Sequence, residues 1–228
     1  MIRTIVFDAD NTLYKSKEAA TVSDSIVFKE IAKKTKKSEK EIYDIFWDKI
    51  IPLVKNMTIP YYRSRRYGYS LLLKELKIFD ANLAEELYQK FKKKELEVLE
   101  LYTEVKEVLT QLNAAGYRLI LFTEEESELL DDKIKQLNLG GYFSKLITST
   151  NIGMMKAGEG AYQELIRKTG IKPSESIMVG DSISNDILPA SEQGFMTILI
   201  DRKNEKQKGK ADYEIRNLRE IIQILEEN

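Results

Sequence analysis

The sequence predicts an α/β protein, a doubly wound parallel sheet carrying a smaller all-helical unit, and three observations predict it. Short apolar runs rich in β-branched residues alternate with helical segments in the second half of the chain. A matching run, Thr4 to Phe7, stands at the start. Between them, from about Ser16 to Glu100, the period is that of helices and no strand pattern appears. Strands separated by helices pair in parallel, because each crossover needs a helix to return the chain to the same edge.

Thr4 to Phe7 reads as a buried strand, since Ile5 and Val6 are β-branched and turn residues follow. In the helical segment, Ser38 and Glu41 form a capping box ahead of Ile42, Ile45, Phe46, Ile50 and Leu53. Pro52 and Pro60 are expected to break that run. Further helices are expected over Tyr69 to Lys77 and Leu83 to Leu99. After Leu101, Glu104 to Ala115 reads as a helix closed by Gly116, and Tyr117 to Phe122 as a buried strand. The remaining pattern is helix Ser127 to Leu139, strand Leu146 to Thr148, helix Gly160 to Thr169, strand Ser176 to Val179, helix Asp186 to Gly194 and strand Met196 to Ile200. Arg202 to Lys210 reads as an exposed basic loop, and Asn217 as the cap of a final helix, Leu218 to Glu227. The expected division is a sheet domain of residues 1–15 and 101–228 with an inserted helical domain of residues 16–100.

Composition narrows the chemistry. Hydrophobic residues make up 43% and charged residues 32%, a soluble globular balance, and the net charge of −1 points to neither nucleic acid nor an anionic membrane. With no membrane-length apolar run and an N-terminal run too short for a signal peptide, a cytoplasmic protein is expected. There is no cysteine and no histidine, which removes thiol nucleophiles, zinc-thiolate sites and every mechanism needing imidazole. A bound metal would be held by oxygen, which favours a hard cation such as Mg²⁺.

Four motifs fall at the carboxyl ends of expected strands, where open α/β sheets bind ligands. In Phe7-Asp8-Ala9-Asp10-Asn11-Thr12-Leu13, one carboxylate could attack phosphorus and the other could protonate a leaving oxygen. The same residues also suit a plain Asp/Asn turn. A calcium loop is set aside, because Leu13 stands where such a loop needs glycine. Thr123 could donate to a phosphate oxygen or cap a helix. Lys156, after Gly153-Met154-Met155, could neutralise nucleophile and phosphate together, or be one more solvated lysine. In Val179-Gly180-Asp181-Ser182-Ile183-Ser184-Asn185-Asp186, the two acids could bind or support a metal, or simply mark a capped turn.

In this order, the four motifs resemble the haloacid dehalogenase-like hydrolase superfamily, with its DxDx[TV] motif, its Ser or Thr after a second strand, its Lys, and its GD followed by another Asp. The resemblance runs end to end. It implies a Rossmann-like core, a helical cap and Mg²⁺. It implies Asp8 as nucleophile and metal ligand, Asp10 as general acid/base whose backbone carbonyl also binds the metal, and Asp181 as a further metal ligand. Thr123 and Lys156 would hold the phosphoryl group, Thr12 would support the loop, and Asp186 would act from behind the ligands. An acid at Asp10 implies phosphate-ester chemistry rather than dehalogenation. The expected activity is hydrolysis of a small phosphorylated metabolite, the alternatives being a phosphomutase or an inactive ligand-binding relative.

Two features depart from the family pattern. Glu124-Glu125-Glu126 follow Thr123 where Asn-Gly is common, and are expected to point outward at a helix N-terminus. Ala157 follows Lys156 where proline is common. In the helical unit, Tyr61 to Tyr67 could choose the substrate through tyrosines and arginines, or could be an exposed basic helix start. Trp47 reads as core of the same unit.

Overall fold

The computed structural model describes residues 1–57, 59–60, 64–203, 205 and 209–227. Tyr61, Tyr62 and Arg63 lie outside the described residues, as do Asn204, Lys206, Gln207 and Lys208.

Six strands form one all-parallel sheet: β1 (Thr4–Phe7), β2 (Arg118–Thr123), β3 (Lys145–Thr148), β4 (Ser176–Gly180), β5 (Met196–Ile200) and β6 (Tyr213–Ile215). Their order is β3-β2-β1-β4-β5-β6, so the chain works outward from β1 in one direction and then in the other. Phe7 lies level with Leu121 on one side and Val179 on the other, which brings the carboxyl ends of three strands together. The expected strands are all present within a residue or so. The strand β6 is an addition: with three residues at the sheet edge, it is too short for its own periodicity to announce it.

Alternation along the strands sorts side chains between two cores. Ile5, Phe7, Leu119, Leu121, Ile177 and Val179 face α6 (Val105–Ala114), α7 (Ser127–Gln136) and α11 (Glu220–Glu226). Val6, Ile120, Phe122 and Met178 face α8 (Ser149–Ile152), α9 (Ala161–Thr169) and α10 (Leu188–Glu192). Helices on both faces make the sheet doubly wound, and burial on both faces explains why its strands read as unbroken apolar runs.

Between β1 and α6 the chain forms helices α1 (Ser16–Lys34), α2 (Glu39–Ile45), α3 (Ile51–Lys55), α4 (Arg65–Glu75) and α5 (Ala81–Val98). They bury a core of their own, centred on Val27, Phe28, Phe46, Tyr69, Leu72 and Phe91, with Trp47 packed against it. The Ser38–Glu41 capping box is formed at the start of α2. Pro52 does not break the run. A π turn over Phe46–Ile50 joins α2 to α3 and sets Pro52 in the first turn of α3, where its missing N–H is not needed. Helix α4 starts four residues before the expected Tyr69, because the Ser64 hydroxyl accepts the Tyr67 amide and caps it there. The final helix starts later than expected, since Asn217 turns the chain through its bond from the Arg219 amide before α11 begins. Among the described residues, no helix is long and apolar enough to cross a membrane.

The helical unit meets the sheet unit through polar contacts. Tyr88 donates to Glu126 (3.2 Å), Lys92 pairs with Glu128 (2.9 Å) and Asp132 (2.6 Å), and Glu95 pairs with Lys133 (3.1 Å).

Candidate active site

Asp8 continues β1 and is nearly buried. The loop after it turns sharply: Asn11 is in the left-handed region (φ 58°), the Thr12 and Leu13 amides both donate to the Ala9 carbonyl, and the Asn11 amide donates to Tyr14. Asparagine tolerates that conformation better than most residues. Its side-chain oxygen also accepts from Ser16 and the Lys17 amide, fixing the start of α1. The turn brings Thr12 back so that its hydroxyl donates to Asp8 Oδ2 (3.0 Å).

The other oxygen, Asp8 Oδ1, accepts from Lys156 Nζ (2.8 Å). Lys156 is 1% exposed and also donates to the Phe122 carbonyl (2.9 Å) and pairs with Asp186. The loop that delivers it leaves α8 through Gly153 in the left-handed region (φ 75°). On the far side, a π turn over Ile183–Ile187 folds Asp186 back beneath Gly180, where Asp186 Oδ2 accepts the Ser182 amide (2.9 Å). Gly180 is required there, because a Cβ would lie 2.6 Å from the Asp186 Cβ.

Burial pushes the Asp8 carboxyl up to about 7, against the pull of Lys156 and with repulsion from Asp186 and Asp10 adding to the rise. Burial also penalises the Lys156 charge, but Asp186 and Asp8 outweigh it and hold its pKa well above the usual lysine range. Burial raises Asp186, with Lys156 and the Ser182 amide opposing. Among the described residues, Asp8, Asp181 and Asp186 have carboxylate oxygens all within 4.8 Å of one another. The donors are oxygen only, which fits a hard divalent cation and not zinc held by thiolate or imidazole.

Thr123 is fully buried at the end of β2, and its hydroxyl accepts the Glu125 amide (3.2 Å). The Asp10 carboxylate lies 3.8 Å from Lys133 Nζ, and Asp10 lines the same cleft as Asp8, Asp181 and Asp186. Of the expected residues, the fold gathers Asp8, Asp10, Thr12, Lys156, Asp181 and Asp186 at one point, with Thr123 buried beside it at the end of β2.

The three glutamates after Thr123 do not point outward. Glu124 accepts the Lys156 amide (3.1 Å) and the Asn185 side chain (3.2 Å), Glu125 pairs with Lys133, and Glu126 accepts from Tyr88. Helix α7 begins only at Ser127, so these residues form the turn that crosses the site, and inward partners hold each of them. Arg202 is likewise not an exposed loop residue. Its guanidinium stacks on Tyr102 at 3.4 Å, pairs with Glu104 (2.7 Å) and donates to the Thr12 carbonyl (2.8 Å), bracing the loop that follows Asp8. Arg66, from the segment read either as choosing substrate or as an exposed basic helix start, pairs with Glu85 (2.8 Å) and lies over the Tyr88 ring.

Sequence reasoning missed Lys133 and Glu95, and it placed their partner Glu125 on the outside. Lys133 is 1% exposed and gathers Glu95, Glu125 and Asp10 around its ammonium. Burial opposes its charge, but these carboxylates keep its pKa well above normal. Burial pushes Glu125 up to about 7, against the pull of Lys133, and raises Glu95 in the same way. A signal existed. Lys133 falls on the apolar stripe of α7 with Leu129, Leu130 and Ile134, and Glu95 on that of α5 with Leu87, Tyr88 and Phe91. A charge at such a position needs a buried partner.

Comparison with known proteins places the chain in a family. Residues 5–200 match the family described as Haloacid dehalogenase-like hydrolase. A Glyceraldehyde 3-phosphate phosphatase of Methanopyrus kandleri is 26% identical over 100% of this chain and 98% of its own. A Phosphoglycolate phosphatase of Vibrio parahaemolyticus is 29% identical over 85% of this chain and 81% of its own. The crystal structure of a HAD phosphatase from Thermococcus onnurineus superposes with a TM-score of 0.76 at 26% identity, covering 98% of both chains. With the family matched across the sheet and its motifs gathered at the ends of β1 and β4, this chain belongs to the haloacid dehalogenase-like hydrolases.

Proposed function

We propose that this protein is a Mg²⁺-dependent phosphatase that hydrolyses a small phosphate monoester through an aspartyl-phosphate on Asp8. The observation that carries the reading is the Asp8 carboxylate, held at one oxygen by Thr12 and at the other by Lys156, with Asp181 and Asp186 beside it. Relatives named for glyceraldehyde 3-phosphate and for phosphoglycolate support a small phosphorylated substrate.

In this reading Asp8, Asp181 and the Asp10 carbonyl hold Mg²⁺, with Asp186 bridging to Lys156. When bound, the ion supplies positive charge that offsets repulsion between carboxylates and phosphate. Thr12 and Lys156 aim Asp8 at phosphorus. An Asp8 oxygen forms the new P–O bond as the bond to the ester oxygen breaks, and Asp10 gives that oxygen its proton. Asp10 then takes a proton from the water that attacks the aspartyl-phosphate, which frees phosphate and restores Asp8. Lys156 and the Thr123 hydroxyl bind the phosphoryl oxygens as charge develops. The helical unit of residues 16–100 acts as a cap that keeps bulk water from the intermediate.

The test is phosphate release from para-nitrophenyl phosphate with Mg²⁺ or with chelator, for wild type and Asp8→Asn. Release that needs both the ion and Asp8 is expected. Release that persists in Asp8→Asn would refute the nucleophile assignment.

A further inference from the structure

Lys133 stands where several elements meet, and the proposed chemistry gives it no part. Its side chain is 1% exposed and held from every side. Helix α7 carries it, Glu95 reaches it from α5 of the helical unit (3.1 Å), and Glu125 pairs with it from the turn after β2. The loop after Asp8 supplies the Tyr14 ring, centred 5.5 Å from the ammonium, and Asp10 Oδ1 at 3.8 Å. Glu95 and Glu125 already offset a single buried charge between them. The contact to Asp10 therefore does more for Asp10 than for Lys133.

Asp10 occupies the boundary between two spaces. On one side it lines the cleft of Asp8, Lys156, Asp181 and Asp186. On the other it lines a cavity of about 250 Å³ between the helical unit and the sheet unit, with Lys133 in the same wall. A group that protonates the oxygen leaving phosphorus belongs at such a boundary, within hydrogen-bond reach of that oxygen. It must also be kept there. The Asp10 side chain is 33% exposed, so burial does not fix it, and among the described residues Lys133 is the cation that pairs with it. A carboxyl group free to rotate spends little of its time in one proton-transfer geometry, whereas a partner that is itself locked restrains it.

We infer that Lys133 is a positioning residue for Asp10: locked by Glu95 and Glu125, it holds the Asp10 carboxyl where it can protonate the ester oxygen. This rests on the phosphatase reading and adds a residue to it. Lys133 keeps its own protons. The ester oxygen takes the proton of Asp10 as its bond to phosphorus breaks.

The test is kcat/KM for phenyl phosphate and for para-nitrophenyl phosphate with saturating Mg²⁺. Phenolate is a strong enough base to need a proton as it leaves, its conjugate acid lying at about 10 as in tyrosine. The far less basic para-nitrophenolate leaves without one. A positioned acid contributes about 10²–10⁴-fold, so Lys133→Met is expected to lower phenyl phosphate turnover at least about tenfold more than para-nitrophenyl phosphate turnover. A lysine that only stabilised the fold would lower both together and leave the ratio alone. Lys133→Met combined with Glu125→Gln restores part of the charge balance without returning a cation to Asp10, and is expected to keep the selective loss. A wild-type ratio in either variant would overturn the inference, as would a wild type that hydrolyses para-nitrophenyl phosphate but not phenyl phosphate. Wild type inactive on both esters would instead overturn the phosphatase reading, and this inference with it.

Discussion

Lys133→Met removes a buried ammonium while keeping most of its volume. The structure sets the size of the effect. Lys133 Nζ lies 3.1 Å from Glu95 and 3.8 Å from Asp10, and it also pairs with Glu125. Without it, three carboxylates share a pocket with no paired cation among the described residues, Arg65 being engaged with Asp24. Breaking a buried ion pair from one side costs about 3–5 kcal/mol. For a chain of this length each kcal/mol lowers Tm by roughly 2–4 °C, so a fall of about 6–20 °C is expected at pH 8. The sign of the pH dependence follows from the carboxylates. Glu125 already sits at about 7 rather than its ordinary 4.5, and loss of Lys133 drives it higher. Protonation relieves the repulsion, so the deficit against wild type is greatest above pH 7 and shrinks as pH falls towards 5. Adding Glu125→Gln to Lys133→Met removes one unpaired charge and should recover about 0.5–3 kcal/mol, the usual range for coupled neighbours. Calorimetric melts of the three proteins at pH 8 and pH 5.5 are the assay. A Lys133→Met protein that melts within about 2 °C of wild type at pH 8, where one kcal/mol alone would show, would refute the reasoning, as would a deficit that grows as pH falls.

Glu125→Gln alone should flatten the pH dependence of stability. Its raised carboxyl favours the fold below about pH 4.5 and loses that contribution as pH rises through about 7, so the variant should gain on wild type between those limits, read from melts across the window. Gly180→Ala should displace Asp186, because the new Cβ falls on its side chain. Overpacking of this kind costs about 1–3 kcal/mol, and the variant should also need more Mg²⁺ for half-maximal activity, whereas an unchanged melt and metal requirement would argue against the crowding. Asp8 at about 7 must lose its proton to hold a cation, so Mg²⁺ affinity should fall roughly fivefold from pH 7 to pH 6. Calorimetric titration at the two pH values checks this, and equal affinities would show that Asp8 is already ionised.

Much of this protein was legible in local pattern. The short β-branched runs from Ile5 to Ile200 could be read as strands because burial on both sheet faces leaves no polar alternation to dilute them. Ser38 and Glu41 marked a helix start because a capping box closes within four residues. The position of Asp8 at the end of a strand was readable for the same reason: a turn of Asp, Asn and Thr follows an apolar run directly. The absence of histidine and cysteine confined the chemistry to carboxylate, amine and hydroxyl before any fold was known.

Only the tertiary structure decided how these groups meet. The strand order puts β1 between β2 and β4, and that order alone sets Lys156 against Asp8, 148 residues away in the chain. Pro52, read locally, should end a helix, and the π turn before it absorbs the conflict because the helical core on either side is worth keeping. Glu124, Glu125 and Glu126 look like surface charge, yet Asn185 and Tyr88 reach Glu124 and Glu126 from distant elements, and Lys133 of the adjoining helix turns inward to Glu125. The sequence by itself determined the fold class and the chemical repertoire, since periodicity and residue type act over a few residues. The charge balance of the pocket was decided by the tertiary structure, because burial and ion pairing depend on which distant side chains share a low-dielectric space.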